Sequence, residues 1–273
     1  MRLILHMGVQ KTGTTSLQHF LRRNSDALAK RMLVMVPNAK SVCRLVGRAA
    51  WDYSQGIVDK SDLISAIETA RGTMQAADHD LCLLSHENLC GAMPGTGGLL
   101  DLYPHLPEIM GLLDTHLAPL KPEYVFYTRD IARWKSSVHN QVVKSNNYTH
   151  ALERFRADTS TLTDWDDLKS RLTAAVGADR ITWIALENET DRARPGQQLL
   201  KIAGLNDADI NALDPIPGDR NESLTPGALE FMRLANTLQL PRNVRRELAK
   251  SVVQNQPIFD QLTDVLVQSR KEH

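Results

Sequence analysis

Residues 3–28 constrain the fold of this chain more than any other segment. A short apolar run over residues 3–7 stops at Gly8. A loop rich in threonine follows, and then a helical pattern with Leu17, Phe20, Leu21 and Leu28 on one face. The same order recurs. Residues 33–36 form a second apolar run, halted by Pro37 and Asn38, and residues 62–77 read as a helix. Residues 81–84 form a third strand, followed by Ser85, His86 and Glu87. Residues 102–117 look helical despite their prolines, and residues 124–127 form a strand ended by Thr128, Arg129 and Asp130. The next helix carries Trp134, Val138 and Val142 on one face and Ser137, Asn140, Gln141 and Lys144 on another. Residues 181–186 form a last strand. From about Gln197 the chain is mostly helical, with a turn-rich break over residues 215–219.

Alternating short strands and helices imply a three-layer α/β fold of the P-loop type. A central, mainly parallel sheet is flanked by helices, and the C-terminal part is helical. No repeat, low-complexity tract or linker interrupts the chain, so residues 1–273 are expected to form a single domain. Residues 91–98 hold four glycines and a proline. They read as a loop, either a plain connection or a mobile lid.

Composition narrows the partners. Hydrophobic residues make up 42% and charged residues 23%, enough to build a sizeable core. Lys plus Arg equals Asp plus Glu at 32 each, a balance that argues against a general nucleic-acid or anionic-membrane binder. Cys43, Cys82 and Cys90 form no CxxC pair and no zinc-type spacing with histidine, which suits free thiols in a reducing cytosol, and no metal is expected. No stretch approaches the roughly 18 apolar residues of a membrane span, and Met1 leads directly into a strand; a cytoplasmic protein is the expectation.

In open parallel sheets ligands bind beyond the carboxyl ends of the strands. Three polar clusters fall there: residues 11–16, 85–87 and 128–137. Gly8 and Gly13 have the spacing of the GxxxxGK[ST] nucleotide loop, but Thr14 stands where an NTPase has lysine and Lys11 lies inside the loop. Backbone N–H groups, hydroxyls and a helix N-terminus still favour a phosphate. The blander alternative is that Thr14, Thr15 and Ser16 merely cap a helix.

The run His6-Met7-Gly8-Val9-Gln10-Lys11-Thr12-Gly13-Thr14-Thr15-Ser16-Leu17-Gln18 resembles the 5′-phosphosulfate loop of PAPS-dependent sulfotransferases, particularly bacterial and glycan-modifying members. PAPS is 3′-phosphoadenosine 5′-phosphosulfate; its product is PAP. The resemblance implies that Lys11 touches the 5′-phosphate and bridging oxygen, while Thr12, Gly13, Thr14, Thr15 and Ser16 hold the phosphate. A second family motif binds the 3′-phosphate through an arginine ending a strand and a helical serine eight residues on, here Arg129 and Ser137. An arginine fork with a hydroxyl suits a phosphate dianion; alone, the pair also reads as a surface turn and a solvated serine. A third stretch, residues 218–224, matches the late basic loop, with Arg220 over the 3′-phosphate and adenine, or is a plain helix-leading turn.

Sulfuryl transfer needs in-line approach, charge neutralisation on the leaving phosphate, and a base. The family places its base at a strand end like that of residues 85–87. Glu87 is the first candidate, as in glycan-modifying members, and His86 the second, as in small-molecule members; either could instead cap the following turn. The acceptor implied is a hydroxyl or amine of a saccharide or small molecule. Two other classes compete: a P-loop kinase or NTPase, against which Thr14 in the lysine position weighs, and a catalytically silent nucleotide-binding protein.

Overall fold

The computed structural model describes residues 1–217 and 223–261. In chain order the elements are β1 (Arg2–His6), α1 (Thr14–Arg23), α2 (Ser25–Leu28), β2 (Leu33–Met35), α3 (Val42–Ser54), α4 (Lys60–Gln75), β3 (Leu81–Ser85), α5 (Leu106–His116) and β4 (Glu123–Thr128). There follow α6 (Ile131–Ser145), α7 (Leu152–Asp158), α8 (Asp166–Val176), β5 (Ile181–Ala185), α9 (Gln197–Ile202), α10 (Asp207–Asn211), α11 (Pro226–Asn236) and α12 (Arg242–Gln254). The chain divides into two units. The first comprises Met1–Met93, Asp101–Ile131 and Thr163–Asn221; the second comprises Pro94–Leu100, Ala132–Leu162 and Glu222–His273.

The first unit holds the whole sheet, in the order β2-β3-β1-β4-β5 with every pairing parallel. The α/β architecture read from the alternating pattern is therefore the observed one. From β1 the chain crosses outward to β2, and every later crossing runs the opposite way along the sheet. Parallel crossovers are right-handed, so the single reversed crossing puts α1 on the face opposite the helices of the other crossings. The core agrees. Leu17, Phe20, Leu21 and Leu28 pack with Ile4, Leu83, Val125 and Ile184 of the strands and with Leu199, Leu200 and Ile210 of α9 and α10. The alternate strand residues Leu3, Leu5, Cys82, Leu84, Tyr124 and Phe126 are also buried, so the central strands are apolar on both faces.

Local signals set the element ends. Ser41 caps α3 by accepting from the Arg44 N–H, and Asp59 with Asp62 forms a capping box on α4. The helix expected over residues 102–117 begins only at Leu106, with Pro107 in its first turn, where a missing N–H costs nothing. Helix α3, unforeseen in the sequence, occupies residues 42–54. Residues 91–96 are buried. In the first unit the Ser54 hydroxyl accepts from Ala92 N–H, and it lies where a side chain on Gly91 would have to go.

The second unit is helical. Val143, Leu224, Ala228, Met232 and Val252 form its apolar centre. Asn140 of α6 pairs through both amide atoms with the backbone N–H and C=O of Leu224. Among the described residues no helix is long and apolar enough to cross a membrane.

Candidate functional site

The loop between β1 and α1 runs over residues 7–13. Gly13, at φ 82°, is the N-cap of α1; no side chain among the described residues caps the helix, and its first turn contains no acid. The first N–H groups of a helix have no intrahelical acceptor, and the dipole adds about half a positive charge there. Lys11 also has a left-handed backbone, φ 71°, which costs a non-glycine residue about 1–2 kcal/mol. Two left-handed residues two positions apart turn successive N–H groups toward one side of the loop.

The hydroxyls of the loop divide by role. Thr12 gives its proton to the Val9 carbonyl at 2.6 Å and so ties the loop to itself. Thr14 is 4% exposed, and its hydroxyl has no hydrogen-bond partner among the described residues. A buried hydroxyl without a partner costs about 1–3 kcal/mol. Thr15 is exposed and Ser16 half-buried.

The end of β3 lies beside this loop, because His6 and Ser85 are in register. Past Ser85 the chain makes a short 3-10 turn over Glu87–Cys90. His86 caps that turn, its Nδ1 accepting from the Asn88 N–H at 3.2 Å. Its ring rests on α3 where a β-carbon at Gly47 would stand, 2.3 Å from Nε2. Desolvation lowers its pKa, Arg44 adds to that, and Glu87 opposes it. Thus one imidazole nitrogen is engaged and the other lies against backbone. The Glu87 carboxylate, by contrast, is a quarter exposed and accepts from Gln18 Nε2 at 2.9 Å. The same amide also donates to the Ser85 carbonyl at 3.1 Å.

On the other side of β1, β4 continues past the level of His6, which pairs with Val125. Arg129 stands four residues beyond Val125, about 13 Å of strand. Its carbonyl accepts from Trp165 Nε1 at 2.8 Å. Its half-buried guanidinium makes no hydrogen bond or ion pair among the described residues. Ser137 is half-buried on α6, in the second unit. Arg220 lies outside the described residues. The structure thus brings the loop and the β3 and β4 strand ends to one edge of the first unit's sheet. Among the described residues no group of three His, Cys, Asp or Glu side chains is placed to hold a metal.

No protein-family model and no curated protein matches the chain. Among solved structures, a sulfotransferase from Alicyclobacillus acidocaldarius matches over 90% of this chain and 99% of its own length, at 13% sequence identity and a TM-score of 0.44.

Two parts of the site were not foreseen from sequence. Gln18 holds Glu87, and its signal was its place one turn after Thr14 and Thr15 on α1. Gln10 receives the Tyr103 hydroxyl proton at 2.5 Å and donates to the Gly91 carbonyl at 2.8 Å. It thereby fastens the loop to a buried stretch some ninety residues later, and nothing local announces that contact.

Proposed function

We propose that this protein is a PAPS-dependent sulfotransferase, moving a sulfuryl group to a hydroxyl or amine of a saccharide or small-molecule acceptor and releasing PAP. The observation that carries the reading is the β1–α1 loop itself. It is an uncapped helix start with a strained lysine inside the loop and an unpaired buried threonine hydroxyl in the position of the NTPase lysine. The residues present fit the donor. Backbone N–H groups of the first turn of α1, with Thr14, Thr15 and Ser16, would hold the 5′-phosphate. Arg129, a guanidinium without a partner among the described residues, would take the 3′-phosphate, with Ser137 assigned to it by the family resemblance.

In this reading Lys11 neutralises the charge that grows on the bridging oxygen as the sulfur–oxygen bond to the 5′-phosphate breaks. Glu87 accepts the acceptor's proton while the new oxygen–sulfur bond forms. Gln18 orients that carboxylate. Glu87 is preferred to His86 because its carboxylate is a quarter exposed, whereas Nδ1 of His86 accepts from the Asn88 N–H and its ring packs against Gly47. The scheme requires no metal and treats residues 1–273 as one catalytic domain acting in the cytoplasm.

The donor is tested by thermal shift. A ligand at 100 times its dissociation constant adds about 2.7 kcal/mol of stability. PAP should raise the melting temperature well above any shift from ADP or ATP·Mg, and labelled PAPS should pass its sulfuryl group to a component of an acceptor extract. Equal shifts from PAP and ATP·Mg would sink the reading.

A further inference from the structure

His6 ends β1 in the middle of the sheet, between β3 and β4, and is 1% exposed. An ionisable ring so placed needs a reason. Its Nδ1 meets the Ser85 hydroxyl at 2.8 Å, and its edge faces Tyr127 with ring centroids 5.2 Å apart. Its Nε2 is buried and has no hydrogen-bond partner among the described residues, as is true of the Thr14 hydroxyl. The two unpaired atoms border the same small space. Nε2 lies 2.6 Å, and Thr14 Oγ1 3.1 Å, from the point that a β-carbon on Gly8 would occupy. Gly8 is therefore glycine on account of the imidazole, since any side chain would collide with the ring.

We propose that His6 is a positioning residue of the phosphate loop, using Nε2 to orient the Thr14 hydroxyl so that Thr14 donates to the 5′-phosphate of the donor. The proposal rests on the functional reading above. A neutral imidazole has one donor and one acceptor nitrogen. When Ser85 donates to Nδ1, the ring proton sits on Nε2, and with the donor bound it is given to Thr14 Oγ1 across the space they both border. The Thr14 proton then points outward to the phosphate. The opposite tautomer would draw the Thr14 proton inward and withhold it from the ligand. Burial pushes the pKa of His6 down to about 3, by desolvation, so the ring stays neutral at physiological pH. No proton is transferred in this relay; it sets one hydrogen-bond direction.

The test compares PAP with adenosine 3′-monophosphate, which lacks the 5′-phosphate. In wild-type protein labelled with ¹⁵N-histidine, PAP should move the His6 Nε2 resonance to that of a protonated, hydrogen-bonded nitrogen, and adenosine 3′-monophosphate should not. His6→Asn keeps a group for Ser85 but has nothing at Nε2. It should weaken PAP by roughly tenfold in calorimetry, the scale of one hydrogen bond to a charged group, and leave adenosine 3′-monophosphate unchanged. Thr14→Val should do the same, and the double variant should bind no more weakly than the worse single one, because both remove one interaction. An unmoved resonance, a double variant showing the product of both losses, or equal loss of both ligands would each overturn the proposal alone. Failure of the wild-type protein to bind PAP would sink the sulfotransferase reading, and this proposal with it.

Discussion

Both units of this protein bury polar side chains, and one cluster in each treats them in opposite ways. In the second unit the groups around the end of α6 are answered, although His139 Nδ1 and the Tyr148 and Thr225 hydroxyls have no partner among the described residues. Asn140 pairs with both backbone groups of Leu224, and Arg245, 9% exposed, donates to the carbonyls of Val143 and Lys144 and to Asn236. Asn236 in turn donates to Val143 and Tyr148 carbonyls. These groups close the end of α6, where carbonyls lack helical partners. In the first unit, around the β1–α1 loop, polar atoms are left unanswered among the described residues: Thr14 Oγ1, His6 Nε2, the Arg129 guanidinium and the uncapped start of α1. Satisfied burial stabilises a fold. Unsatisfied burial costs stability, and each such group calls for a reason.

The contrast is broken most sharply at the loop. Lys11→Gly removes the ammonium group and relieves a left-handed backbone, while Glu87→Gln keeps shape and hydrogen bonding but cannot take a proton. Each should lower turnover by about 10² to 10³, in line with the loss of one charge-stabilising or general-base group. Each should leave unfolding free energy within about 1 kcal/mol of the parent, because relief of strain at residue 11 is offset by the greater freedom of glycine in the unfolded chain. Steady-state kinetics with one identified acceptor, alongside urea denaturation, reads both. A large loss of stability in either variant would mean that the loop is structural.

The opposite result is expected in the second unit. Asn140→Ala leaves the N–H and C=O of Leu224 buried and unpaired. At about 1–3 kcal/mol for each of these two groups it should cost roughly 2–6 kcal/mol. Chemical denaturation measures this directly. A cost below about 1 kcal/mol would show that water replaces the amide, and that this region is not the closed framework its hydrogen bonds describe.

The same contrast marks what could be read from sequence. All five strands were legible, because each is a short apolar run between polar stops, and parallel strands buried on both faces need nothing subtler. Lys11, Thr14, Glu87 and Arg129 were legible as residue types at strand ends. Helix α3 was not: Gly47 interrupts its pattern, and the reason for that glycine is the ring of His86, nearly forty residues away. His6 passed for an ordinary strand residue until the sheet order placed it between two neighbours. Glu87 ranked before His86 on the resemblance alone; that His86 caps the turn through the Asn88 N–H and packs on Gly47 was not legible. What escaped was in each case a contact across the fold, fixed by packing that no local pattern encodes.

The smallest expected effect compares two histidines, one from each unit. His139 is 2% exposed, with Nε2 donating to the His150 carbonyl and Nδ1 unpaired, a mirror of His6. Desolvation lowers its pKa; the His150 carbonyl and Glu153 oppose this, and Arg233 and Arg156 add to it. His6 is lowered to about 3. A histidine whose folded pKa is depressed binds fewer protons folded than unfolded, so its contribution is full above the unfolded value of about 6.5 and is lost as pH falls toward the folded one. For His6 that window runs from about 6.5 to about 3. Each ring can tilt stability by at most about 1.4 kcal/mol per pH unit inside its window. His139→Gln retains a donor for His150, and His6→Asn retains a partner for Ser85. Both should make acid destabilisation between pH 6.5 and 5 shallower, by up to that slope, in melting curves without ligand. Only His6→Asn should also weaken PAP. Equal acid linkage with unequal ligand linkage would place the two rings in the same chemistry and in different roles; an equal loss of PAP from both variants would erase the distinction between the loop and the helical unit.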